Sequence, residues 1–280
     1  MAFDVLAVFT SGYAAARRSG LLDTGFGRWL FTSAYFGYKR WLEDPFAGLI
    51  RRHPELFRGG NILDVGANIG YCSVLFASAL DAGRKVFAFE PEAFNAGLLK
   101  QVTEKHAAGK VVTVEAAVGD HEGQIALELN PRHHGDHRVV ASEEQKKTAG
   151  KSIAVPLMSV DGFLERQGAQ TPVCFMKVDV QGYELAVCEG SRRTLERNPD
   201  CAVVLEYMPE ALEALGFVPA DLPAWFEKRG YRCYAIGKHG ELAEGVPYEL
   251  GPRGYTDLLF RRRNIAERGG REAGMVVAEF

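Results

Sequence analysis

Three acidic residues each stand in or just after a short apolar run, and that placement is the chain's first chemical signal. Asp64 sits near the end of the run 61–65, Glu90 closes 85–89, and Asp120 follows the apolar stretch 111–118. Runs of this length read as buried strands of a parallel sheet, and open α/β sheets bind ligands at the C-terminal ends of such strands. After the first run comes Gly66-Ala-Asn-Ile-Gly70; positions 71–80 then show helical spacing, with Leu75, Phe76 and Ala79 on one side. A strand, a glycine-containing turn and a helix start form a corner where backbone N–H groups point outward and a ligand can approach the main chain closely. A dinucleotide site would need glycine at position 68 to admit a pyrophosphate, and Asn68 stands there instead. With an acid ahead of the turn, the arrangement suits a ligand that has no phosphate but carries an ammonium group and a ribose. Glu90 lies close to the ~20 residues beyond the turn expected of a ribose-binding acid, and a carboxylate can accept from both ribose hydroxyls.

A second group of reactive residues lies further along, in Val173-Cys-Phe-Met-Lys177-Val-Asp179-Val-Gln-Gly182-Tyr-Glu184. Lysine and aspartate two apart project on the same side of a strand. Burying them is unfavourable unless they pair or serve a site. Glu184 falls at the next helix start, where the helix dipole favours a carboxylate with or without a ligand. Glu206 ends the following apolar run, 202–206. Between these groups, the polar segment 130–151 reads as a surface loop inserted between two alternating strands, 123–129 and 152–157. Its His133, His134, Asp136 and His137 match no recognised metal-ligand spacing, whereas His137 and Arg138 read as substrate contacts.

The elements that must position these residues alternate strand and helix, which gives an open, mostly parallel α/β sheet. Strands are expected at 61–65, 85–89, 111–118, 173–178, 202–206, 231–236 and 257–261. Residues 59–262 make one domain, 263–280 a weakly ordered tail in which 275–278 could dock. Residues 1–58 are rich in aromatics at helical spacing. They form a helical extension that either packs on the core or caps the site, with Tyr38 and Lys39 facing it. The length of 280 residues, with 47% hydrophobic and 25% charged, is that of an ordinary globular protein. A net charge of −3 gives no reason to expect nucleic acid or an anionic membrane as partner. Five scattered cysteines without a C-x-x-C pair read as reduced core residues of a cytoplasmic protein. The N-terminus fits neither a secretory signal nor a membrane span, and self-association is left open.

Asp64-Val-Gly-Ala-Asn-Ile-Gly70 resembles motif I of the S-adenosylmethionine-dependent methyltransferases. Together with Phe89-Glu90-Pro91 and Lys177-Val-Asp-Val-Gln-Gly-Tyr-Glu184, it resembles the FkbM family of methyltransferases over roughly residues 61–207. Gln181 stands where many relatives have glutamate, so no charge-based role is assigned to it. The resemblance implies a Rossmann-like seven-stranded sheet in the order 3-2-1-4-5-7-6, strand 7 antiparallel. It implies S-adenosylmethionine as cofactor, leaving as S-adenosylhomocysteine, bound by Asp64, Gly66, Ala67, Asn68, Gly70, Tyr71 and Glu90, with Asp120 or its backbone at the adenine. Asp179 becomes the general base or hydroxyl-orienting group. Lys177 keeps it ionised or holds the local structure, and Glu184 completes the catalytic set. Glu206, Tyr38, Lys39, His137 and Arg138 face the acceptor, a small-molecule, sugar or lipid-type hydroxyl. Methylation at nitrogen stays open. No metal ligand is assigned, because Asp179 and Glu206 alone would leave a divalent ion's shell mostly unfilled. Two rivals stand against this reading: a nicotinamide-dependent oxidoreductase, disfavoured by Asn68, and a non-catalytic cofactor-binding module, disfavoured by Asp179 and Glu184.

Overall fold

The structure, a computed structural model, describes residues 16, 19–39, 44–130, 137–140, 145, 150–168, 172–247, 250 and 254–262. The tail with its docking segment, most of the 130–151 loop and His133, His134 and Asp136 lie outside the described residues, as does the Tyr38 side chain.

Apolar runs that are buried on both faces build the main sheet. Its strands are β1 (Asn61–Val65), β2 (Val86–Phe89), β3 (Val111–Val114), β8 (Val173–Val178), β9 (Ala202–Tyr207), β10 (Tyr231–Ile236), β11 (Leu242–Glu244) and β12 (Thr256–Arg262), ordered β11-β10-β12-β9-β8-β1-β2-β3. From β3 to β10 this is the expected 3-2-1-4-5-7-6 order, with β12 antiparallel to both neighbours. The extra edge strand β11 pairs with β10 through a tight turn, a short element that the sequence reading leaves in a loop. The helices are α1 (Gly25–Tyr38), α2 (Phe46–Arg52), α3 (Tyr71–Ala79), α4 (Ala93–His106), α5 (Val160–Gln167), α6 (Glu184–Glu189), α7 (Arg192–Arg197), α8 (Pro209–Ala214) and α9 (Asp221–Glu227).

The expected strand 111–118 is corrected to two. β2 ends at Phe89, opposite Val114, so the parallel ladder has no further partner there. The Val114 carbonyl accepts from Glu90 and Ala116 instead, and the chain turns away. Ala117–Val118 (β4) then joins a second sheet with β5 (Gly123–Glu128), β6 (Arg138–Val140) and β7 (Ser152–Met158), ordered β4-β7-β5-β6. Its buried residues Leu127, Val155 and Leu157 pack with Tyr183 and Ala186 of the α6 region.

Alternation along each strand divides the core. Leu63, Val65, Met176 and Val203 face a layer containing Phe163, Trp225 and Phe226. Ile62, Phe175, Val204 and Leu259 face Phe46, Leu49, Phe57 and Phe76, with the Phe57 and Phe175 rings 4.4 Å apart. By the same two-residue period, Asp64, Lys177, Asp179, Glu206 and Asp257 share this second face, which α2 and α3 cover. Asp44 fastens that cover. It accepts from the N–H groups of Phe46 (2.7 Å) and Ala47 (3.3 Å) at the start of α2, and from the Tyr71 hydroxyl (2.7 Å). Asp44→Ala is expected to lower stability by about 1–2 kcal/mol, a typical cap loss, measurable by denaturant unfolding.

Candidate active site

The chain leaves β1 through Gly66, at φ +76°, where a Cβ would lie 1.8 Å from the Asp179 carbonyl oxygen. Only glycine lets the turn after β1 nest against the turn after β8. One expectation is corrected here: four backbone N–H groups of the first turn are hydrogen-bonded within the protein instead of being presented to a ligand. Gly66 and Ala67 donate to the Phe89 carbonyl (3.0 and 2.9 Å), Asn68 to the Glu90 carboxylate (2.9 Å), and Gly70 to Ala67 (2.9 Å). The turn is thereby locked to the end of β2. Glu90 also accepts from the Glu92 N–H at 3.0 Å. Burial pushes its carboxyl up to about 7, against the pull of those two N–H donors. Glu90, Gly66, Asn68, Phe89, Ala117, His137, Asp179 and Gln181 line one cleft over the C-terminal ends of the strands.

Beside this cleft the second group forms a charged row. Lys177, 6% exposed, reaches the Gly66 carbonyl (3.1 Å), Asp179 (3.2 Å) and Asp64 (3.8 Å). Burial disfavours its ammonium, but Asp179 and then Asp64 outweigh burial and raise its pKa. Burial would raise the Asp179 pKa, yet Lys177, Lys39 and the Gln181 amide bring it below the ordinary value. The Gln181 amide nitrogen donates to Asp179 (3.0 Å) and to Glu206 (2.8 Å), with its backbone in the left-handed region at φ 57°. Glu206 stands opposite Asp257 in the β9–β12 ladder. Burial, and then the Asp179 charge, raise both: Glu206 well above the usual carboxylate range, Asp257 to about 6.

The structure therefore brings together Gly66, Asn68, Glu90, Lys177, Asp179, Glu206 and His137, whose Nδ1 accepts from the Asn130 N–H at 3.1 Å; Lys39 does not line the cleft, and its charge is felt at Asp179. Other expected site residues do not line the cleft. Asp64 is fully buried behind the turn, hydrogen-bonded to Ser73 at 2.5 Å. Ala67 is buried, and Gly70, at φ +90°, packs on Leu99. The Tyr71 hydroxyl points to Asp44. Glu184 is 1% exposed and accepts from the N–H groups of Val180 (3.1 Å) and Gly182 (3.2 Å), so it braces the β8 turn. Arg138 belongs to β6 and does not line the cleft, whereas its neighbours His137 and Val139 do. Asp120 moves away with β4; it contacts His121 and lines a different groove with Tyr183 and Trp225. Sequence reasoning missed Gln181 and Asp257. The signal for Asp257 was an acid at the start of a strand antiparallel to the one carrying Glu206.

A sheet in this order, with an acid after β2 gripping the glycine turn after β1, defines the S-adenosylmethionine-dependent methyltransferase class. Residues 64–233 match the methyltransferase FkbM domain, and the chain belongs to that family. Hexuronic acid methyltransferase AglP of Haloferax volcanii is 29% identical over 135 residues, 48% of this chain and 50% of AglP. The chain thus matches about half the length of that relative. Among solved structures, the O-methyltransferase TomG of Streptomyces achromogenes is similar with a TM-score of 0.48 and 14% identity, covering 90% of this chain and 87% of TomG. A Bacillus cereus O-methyltransferase has a TM-score of 0.45 and 11% identity, covering 90% and 98%. No helix among the described residues is long and apolar enough to cross a membrane. Nor do they contain three grouped His, Cys, Asp or Glu side chains fit for a metal ion.

Proposed function

We propose that the chain methylates a hydroxyl of a small molecule, most simply a sugar, using S-adenosylmethionine held over Glu90. The observation that carries this reading is Asp179, fixed by Lys177 and Gln181 in the same cleft as Glu90. When bound, the cofactor supplies an electrophilic methyl group. Glu90, which lines the cleft and has no cation partner among the described residues, suits the two ribose hydroxyls. The backbone near Ala116 and Ala117, which line the cleft beyond it, takes the adenine role expected of Asp120 or its neighbouring backbone. Asp179 accepts the acceptor's O–H and holds its oxygen lone pair toward the methyl. A weak base suffices there, because the hydroxyl proton becomes strongly acidic once its oxygen bonds to carbon, and Asp179 then takes it. Similarity to AglP supports a sugar-type acceptor. The carboxylate row argues for methylation at a hydroxyl rather than at a free carboxylate, which the row would repel. The same row would attract an amine, so N-methylation is the second reading, separable by offering matched hydroxyl and amino acceptors.

The test is calorimetric titration of S-adenosylmethionine and S-adenosylhomocysteine, with NADH as control. Wild type is expected to bind both, and Glu90→Ala to lose about 30-fold or more of affinity, as for a charged group that made two hydrogen bonds. The pH gives an independent readout. Ribose donates best to the ionised Glu90, so affinity should fall as pH drops from 8 to 6, through the carboxyl's value of about 7. Glu90→Gln should flatten that dependence. A folded wild-type protein that binds neither ligand would sink the reading.

A further inference from the structure

We propose that the outward face of α1 docks on an anionic lipid surface. Phe26, Trp29 and Leu30 are 68%, 51% and 46% exposed and stand at i, i+3 and i+4, one stripe along the helix. Leu21, 40% exposed, lies in the 3-10 turn that precedes α1. The opposite face is anchored: Phe31 and Tyr35 are buried with Ile69 and Leu98, so the stripe is held on a fixed support. Three large apolar side chains in one exposed row form a contact surface, whereas scattered ones need no explanation.

The charges beside the stripe say what covers it. Between α1 and α4 runs a groove of about 380 Å³, floored by Phe36, Leu98 and Val102, with Arg28, Lys105 and His106 on its walls and no carboxylate among the described residues that line it. Among the described residues, the buried Nε of Arg28 has no hydrogen-bond partner. Among the described residues, Glu104 lines a different groove with Lys100. α1 itself contains no acidic residue. A guanidinium and an ammonium in the groove that Trp29 also lines, next to a Phe/Trp/Leu stripe, match the boundary where lipid phosphates meet acyl chains. A second copy fits poorly, because a two-fold contact on this face would bring two sets of Arg28, Lys105 and His106 together. With a chain charge of −3, attraction is local to this face, so binding needs both the apolar stripe and the cations. The inference stands independently of the methyl-transfer reading.

The experiment is co-sedimentation of the full chain with vesicles of phosphatidylcholine alone and of phosphatidylcholine mixed with phosphatidylglycerol. Binding is expected for the mixed vesicles only. It should weaken roughly tenfold or more in Phe26→Ser/Leu30→Ser, as two apolar groups lose their burial, and similarly in Arg28→Gln/Lys105→Gln. The charge variant should also lose the salt sensitivity of binding. Trp29→Phe should keep binding but lose the blue shift of tryptophan emission that vesicles induce in wild type. Unchanged melting and cofactor titration show that the variants are folded. Failure of the wild type to sediment with anionic vesicles would overturn the proposal, as would variants that bind undiminished. A solution dimer abolished by Phe26→Ser/Leu30→Ser would also overturn it, and would identify this face as a contact between copies.

Discussion

Asp179→Asn is expected to lower the rate of methyl transfer by about 10²–10⁴-fold, the range typical of a lost proton acceptor. Cofactor affinity should stay within a few-fold of wild type. The side chain touches three groups with different consequences. Toward Gln181 an asparagine oxygen can still accept. Toward Lys177, 3.2 Å away, an amide nitrogen would face an ammonium, donor against donor. Toward the acceptor it would neither hold the hydroxyl proton in the right direction nor take it. Glu90 and the first turn are joined to one another and to β2, not to the Asp179 carboxylate. The cofactor side of the cleft therefore survives the change. Stopped-assay turnover against calorimetric S-adenosylhomocysteine binding separates the two functions. If binding is lost together with turnover, Asp179 serves the cofactor and the acceptor assignment is wrong.

Gln181 refines this picture. Both hydrogens of its amide nitrogen are spent on Asp179 and Glu206, so it spaces two carboxylates that would otherwise repel. This role was invisible in the sequence, since a neutral side chain acquires it only when β8 and β9 become neighbours. By contrast β1, β2, β8 and β9 were legible because strands buried on both faces read as unbroken apolar runs. Glu90 was legible for the same reason, as the first polar residue after such a run. The 111–118 run misled for the converse reason. It is apolar throughout, and nothing local marks the turn after Val114, which is set by where β2 stops. Asp120 was misplaced with it. The turn 66–70 was recognised correctly as a glycine corner, but whether its N–H groups point at a ligand or at Phe89 and Glu90 is decided by the packing of β1 against β2.

Lys177→Met should lower stability by about 3–5 kcal/mol, the loss expected when one partner of a buried pair is removed. The reason is Asp64, which has no exposure and no hydrogen bond to one of its two carboxyl oxygens. Burial already raises its pKa, with Lys177 as the largest opposing influence. Asp179, on the other side of the lysine, is about a third exposed, so water can solvate it when the ammonium is gone. The sign of the pH effect follows. Without Lys177 the folded state binds a proton at Asp64 more tightly than the unfolded chain does, so the variant's deficit shrinks as pH falls and grows as pH rises. Adding Asp64→Asn should recover most of the lost stability, because the amide keeps an acceptor for Ser73 while removing the uncompensated charge. Denaturant unfolding of wild type, the single and the double variant at two pH values tests all three statements. The double variant also distinguishes two roles of Lys177: restored folding without restored turnover means that the lysine positions and charges Asp179, whereas recovery of both makes it a structural tie alone.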